Sequence, residues 1–152
     1  MIFKDITDIN FNGIDISSHH EFNHEKVYYY EDQETQLKSL IAIHSTKEGP
    51  AIGGCRYRQY DSFEDGLNDV LRLSKGMTDK NNVAGIPFGG GKAVIFKQGN
   101  KSNNLLKSFA SFLNRLNGTY ISAEDIGITL EDIIFIREHS EHVFDNVDPG
   151  PF

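Results

Sequence analysis

The chain has 152 residues, 38% hydrophobic and 11% aromatic, which suits one domain with a real core and is too short for two ordinary ones. Its 22 acidic against 15 basic residues give a formal charge of -7, with no local basic patch, so nucleic acid and anionic membrane are excluded as partners. A single cysteine, Cys55, rules out an internal disulfide and is expected as a small buried hydrophobe.

The first residues, MIFKDITDINFNGIDI, mix acids among the apolar positions and so form neither a signal peptide nor a membrane span, which makes the cytoplasm the expected location. Residues 26–31, KVYYYE, and 37–44, LKSLIAIH, are rich in strand formers and flank the polar DQETQ, as in a hairpin. The YYY strand is expected at an open edge, where it could pair with a copy of itself. After the Gly49-Pro50 break, AIGGCRYRQY resumes an extended segment whose two glycines allow close backbone approach.

Ser62 begins a capping pattern, and Phe63, Leu67, Val70, Leu71, Ser74 and Met77 follow at helical spacing, predicting a helix to about residue 79. AVIF at 93–96 reads as a strand buried on both faces. Ser102 opens a second helix with Leu105, Leu106, Phe109, Phe112, Leu113 and Leu116 inward, closed by Asn117-Gly118. A short strand at TYIS precedes a third helix capped by Thr129. The alternation of strands and helices predicts an α/β sandwich over 1–152, and DNVDPGPF has the composition of a domain edge.

The stretch NVAGIPFGGGKAVIF admits several chemistries. A phosphate loop needs a glycine where Ile86 stands and a hydroxyl where Ala93 stands, and a dinucleotide fingerprint needs a helix where a strand follows. Two readings stay open: a flexible turn with Lys92 solvated, or glycines admitting a ligand while Lys92 serves as a general base. In the second, desolvation and a nearby cation ease loss of the lysine proton, and Lys80, placed past the end of the first helix, could be that cation. Glu124 and Asp125 in SAEDIG sit in a turn, where carboxylates are usually solvated or capping; facing the lysine, one could hold an ammonium and relay a proton. His20-Glu21-Phe22-Asn23-His24 matches the zinc-protease pattern H-E-x-x-H, but that chemistry needs a helix with an apolar stripe, and a strand follows at once. His139 and His142 read as surface or capping residues.

GPAIGGCR, LRLSKGMTDKNNVAGIPFGGGKAVI and YISAEDIG, in that order and spacing, resemble the N-terminal domain of the leucine, phenylalanine and valine dehydrogenases of the glutamate dehydrogenase superfamily, from about His24 to Thr129. The resemblance implies a mixed sheet flanked by helices, forming the substrate-binding and dimerisation domain without the Rossmann domain. It also implies NAD-dependent, reversible oxidative deamination of an apolar, leucine-like L-amino acid to its 2-oxo acid and ammonia, by a homo-oligomer. By that resemblance Lys80 binds the substrate carboxylate, Lys92 is the base that activates water against the imino intermediate, and Asp125 assists proton transfer at the amino group. Gly53 and Gly54 line the carboxylate side, while Ile52, Met77 and Ala123 shape the side-chain pocket and nicotinamide face. Cys55 and Asp79 depart from common family residues without touching the catalytic trio. The nucleotide-binding domain has no counterpart in the chain, so the fragment alone should not bind NAD or turn over, and a non-catalytic assembly module is the alternative reading.

Overall fold

The computed structural model describes residues 1–19 and 23–144. Its strands are β1 (Ile2–Asp5), β2 (Asn10–Phe11), β3 (Ile14–Asp15), β4 (Lys26–Asp32), β5 (Leu37–Ser45), β6 (Ala51–Arg58), β7 (Gly89–Phe96) and β8 (Tyr120–Ala123), and its α-helices are α1 (Phe63–Ala84), α2 (Asn103–Arg115) and α3 (Leu130–Arg137). Six strands form one mixed sheet in the order β1-β4-β5-β7-β6-β8. The β1-β4, β4-β5 and β5-β7 pairs are antiparallel, whereas β6 lies parallel to both β7 and β8.

The period-2 alternation of the strands divides the core in two. Ile41, Cys55, Ala93 and Ile95 point to one face and pack with Leu105, Phe109 and Phe112 of α2 and Ile133 and Ile136 of α3. Leu40, Ala42, Val94 and Phe96 point to the other, with Leu67, Val70 and Leu71 of α1. The α/β sandwich expected from the sequence is therefore present, with β7, buried along its whole length, at its centre.

Local signals account for the element ends. The Ser62 and Ser102 hydroxyls accept the backbone N–H groups of Asp65 and Leu105, each 3.1 Å away, and Thr129 forms a reciprocal capping box with Asp132. Such caps are worth about 1 kcal/mol each. Asn117 and Gly118 both take positive φ after α2, as the Asn-Gly pair predicts.

Three expectations need correction. Helix α1 runs to Ala84 and stops only where Gly85 turns left-handed at φ 70°, so Lys80 lies inside the helix rather than beyond it. The glycines 89–91 are not a turn before the strand: they are its first residues. The YYY segment is not an edge, because β1 pairs with it from Ile2 opposite Glu31 to Asp5 opposite Tyr28. The edge on this side is β1 itself, too short at four residues to announce itself as a strand.

Candidate active site

Lys92 shares a strand face with Val94 and Phe96, and Ala42 of β5 stands opposite it in register. It therefore lies on the α1 side of the sheet, 6% exposed, which excludes the solvated reading of this lysine. A buried ammonium needs a counter-ion. It has one: Lys92 Nζ is 3.0 Å from Asp125 Oδ2.

Asp125 reaches that position because the loop after β8 is tied down from three sides. Tyr57 N–H donates to the Ile126 carbonyl at 2.9 Å, Ile128 N–H donates to the Asp125 carbonyl at 3.1 Å, and Lys101 Nζ donates to the Gly127 carbonyl at 2.8 Å. Gly54 supplies the space, since a Cβ built there meets the Glu124 carbonyl oxygen at 2.6 Å and the Asp125 Cβ at 2.8 Å. Burial tends to raise the Asp125 carboxyl pKa, but the hydrogen bonds from Lys92 and Arg56 outweigh it and hold the group below the ordinary carboxylate range.

Arg56 is the partner that sequence reasoning missed. Its Nε donates to Asp125 Oδ2 at 2.8 Å and its Nη1 to Asp69 Oδ2 at 3.3 Å. Asp69, on α1, also accepts from Tyr60 Oη at 2.7 Å and from Arg72 Nη2 at 2.8 Å. The signal was legible in principle: of the two arginines that β6 carries on its Gly54 face, Arg56 stands inside the strand rather than at its end and so requires an anion there.

The glycine run brings the end of α1 onto the sheet. A Cβ at Gly90 meets Thr78 N at 2.2 Å, and Asn81 Nδ2 donates to the Gly89 carbonyl at 2.8 Å. The atoms that require glycine at 90 are thus the protein's own. Met77 lies over Gly53, its Cγ 3.3 Å from a Cβ built there, while Ile52 pairs with Gly90 and Ala123 with Gly54. Ile52, Met77 and Ala123 are each half-buried around this corner. Lys80 is exposed and makes no ion pair among the described residues.

The zinc-protease pattern does not survive. His20 lies outside the described residues, but Asn23 takes φ 58°, which interrupts the helix that H-E-x-x-H requires. His24 is buried, with Nε2 2.8 Å from Ser74 Oγ and 2.9 Å from the Leu71 carbonyl, a packing role against α1. No cluster of metal-ligating side chains occurs among the described residues. Cys55 is fully buried as expected, and burial pushes its thiol pKa up, leaving it inert. Also among the described residues, no helix is long and apolar enough to cross a membrane.

Residues 21–142 match the family model described as Glu/Leu/Phe/Val dehydrogenase, dimerisation domain. The chain is 44% identical over 124 residues to a leucine dehydrogenase of Geobacillus stearothermophilus, covering 80% of this chain and 34% of that protein. It is 47% identical over 123 residues to a phenylalanine dehydrogenase of Caldalkalibacillus thermarum, covering 80% and 33%. The crystal structure of L-tryptophan dehydrogenase from Nostoc punctiforme superposes with a TM-score of 0.80 at 41% identity, covering 84% of this chain and 38% of that one. The chain thus spans about a third of the length of the curated relatives it matches.

Proposed function

The chain belongs to the Glu/Leu/Phe/Val dehydrogenase family through its dimerisation domain, and on that premise we propose that it is the amino-acid-binding part of an NAD-dependent dehydrogenase. The reaction is reversible oxidative deamination of an apolar L-amino acid, leucine-like, to the 2-oxo acid and ammonia. The observation that carries this reading is the buried Lys92–Asp125 pair at 3.0 Å on a glycine-walled strand face. An assembly module has no use for a buried lysine, whose desolvation a plain apolar residue avoids.

In this reading the exposed ammonium of Lys80 pairs with the substrate carboxylate, whereas the space at Gly53 and Gly54, expected to line the carboxylate side, is taken by the protein's own Gly91 carbonyl and Asp125 loop. Ile52, Met77 and Ala123 present apolar surface to the side chain, which fits leucine better than glutamate. Lys92 Nζ takes a proton from the water that attacks the imino carbon, so that the new C–O bond forms without a free hydroxide. Asp125, held ionised, accepts a hydrogen bond from the substrate amino group and so orients it, and the proton that Lys92 takes from water returns past Asp125 to that nitrogen as it leaves as ammonia.

The nicotinamide is another matter. Among the described residues no glycine-rich turn joins a strand to a helix, and Gly89, Gly90 and Gly91 lie within β7. These residues do not form a dinucleotide site, so we assign NAD to the part of the relatives that this chain does not match.

The test joins this chain to the unmatched portion of a leucine dehydrogenase relative and measures NADH formation with leucine, valine, phenylalanine and glutamate. Turnover is expected with the apolar substrates and lost in Lys92→Ala. Undiminished turnover by Lys92→Ala overturns the mechanism, and preference for glutamate overturns the substrate class.

A further inference from the structure

The carboxylate of Asp125 has two cationic neighbours, and they differ in kind. Lys92 Nζ and Arg56 Nε both contact Oδ2, at 3.0 and 2.8 Å. Among the described residues no hydrogen bond reaches Oδ1, which is the oxygen left for a substrate amino group. If Lys92 is a base, it must spend part of each cycle as a neutral amine. In that interval a carboxylate paired with lysine alone would be a buried anion without a counter-charge, a state that favours its protonation and its departure. An arginine cannot lose its proton under these conditions.

We propose that Arg56 is a positioning residue: its guanidinium is the permanent counter-ion of Asp125, holding that carboxylate charged and in place whichever proton state Lys92 adopts. This rests on the assignment of Lys92 as the base.

The surroundings are built for that duty. The Arg56 side chain is 12% exposed and is gripped at its far end by Asp69, itself 10% exposed. Asp69 sits on α1 and is fixed by Tyr60 and Arg72, so the guanidinium is held between the helix and the Asp125 loop. The charges alternate from Arg72 through Asp69, Arg56 and Asp125 to Lys92, each group touching only the opposite sign. A lysine at residue 56 would supply a charge but not two nitrogens pointing along different directions. The other titratable groups around Asp125 do not compete. Cys55 on β6 and Tyr120 on β8 are fully buried and stay neutral, their ionisation pushed up by burial, and Glu124, next in sequence, is exposed.

The experiment follows the Asp125 carboxyl carbon by NMR during an acid titration of the 152-residue chain, as wild type and as Lys92→Met, Arg56→Gln and Arg56→Lys. In Lys92→Met, Arg56 is intact, and Asp125 is expected to titrate below the ordinary carboxylate value although the lysine charge is gone. Titration at or above the ordinary value in that variant overturns the proposal. Arg56→Gln is expected to raise the Asp125 midpoint, and Arg56→Lys to restore it only in part; an unmoved midpoint in both also overturns it. Should Arg56→Gln fail to fold, Lys92→Met and Arg56→Lys still decide. In the joined enzyme Arg56→Gln should lower kcat about tenfold to a hundredfold at neutral pH, with a smaller change in KM and an acid limb moved to higher pH. Equal loss at every pH signals mere structural damage and counts against the proposal. The NMR arm needs no activity, so an inactive wild-type hybrid would sink the dehydrogenase reading while leaving the hold of Arg56 on Asp125 measurable.

Discussion

Asp125 occupies the space that a side chain at residue 54 would fill: a Cβ on Gly54 falls 2.8 Å from the Asp125 Cβ, inside any tolerable contact. Gly54→Ala should therefore push the 124–127 loop off β6 and lengthen the Lys92–Asp125 pair. The expected cost is about 1–3 kcal/mol of stability, with catalysis in the joined enzyme falling further than stability explains. Urea unfolding beside steady-state kinetics checks it, and an alanine variant with wild-type kcat would show that the carboxylate is not held from this side.

Acid should unlock the same corner. Burial raises the Asp69, Asp125 and Asp132 carboxyl pKa values, but their hydrogen bonds and neighbouring cations outweigh it, so all three are lowered. A carboxyl group with a depressed folded pKa gives stability that is fully present above its unfolded pKa of about 4 and is lost as pH falls through the folded value. The urea midpoint should hence stay level through weakly acidic pH and fall below about pH 4. Asp69→Asn should make that fall shallower, and an unchanged slope would show that Asp69 is not among the groups responsible.

Association is expected through β1, whose outer side is an open sheet edge and whose Ile2 is 47% exposed. Light scattering should give a mass of at least twice 17.1 kDa. A monomer at micromolar concentration contradicts it.

The helices and their caps were legible because the information is local. Ser62, Ser102 and Thr129 each cap a helix within three residues, and the inward positions of α2 recur at a fixed spacing. The length of α1 was misjudged because its last turn carries Asn81, Asn82 and Val83, poor helix formers, and is held instead by the buried Asn81 bond to Gly89. The burial of Lys92 could not be read from composition, since a lysine is buried only where a distant anion meets it, and Asp125 is supplied by a loop across two strands. Arg56 and Asp125 stand 69 residues apart, and their contact depends on β6 lying parallel to β8 with Gly54 beside Ala123. The family resemblance named the lysines and the aspartate but was silent on the arginine, whose need for an anion the strand pattern signals and whose partner only the fold supplies.

The uninterrupted pairing of β7 with β5 from Gly91 to Ile95 has a counting consequence. Side chains change sides at every step along a strand, so deleting or inserting one residue between Gly89 and Lys92 while Gly89 keeps its place opposite Ala51 would turn the amine off the α1 side. Two residues could be gained or lost with the sidedness preserved. The run is thus constrained in parity as well as in length: a one-residue insertion at Gly90 should abolish activity by turning the amine to the other face, and a two-residue insertion should do so by carrying it about 6.6 Å along the strand from Asp125.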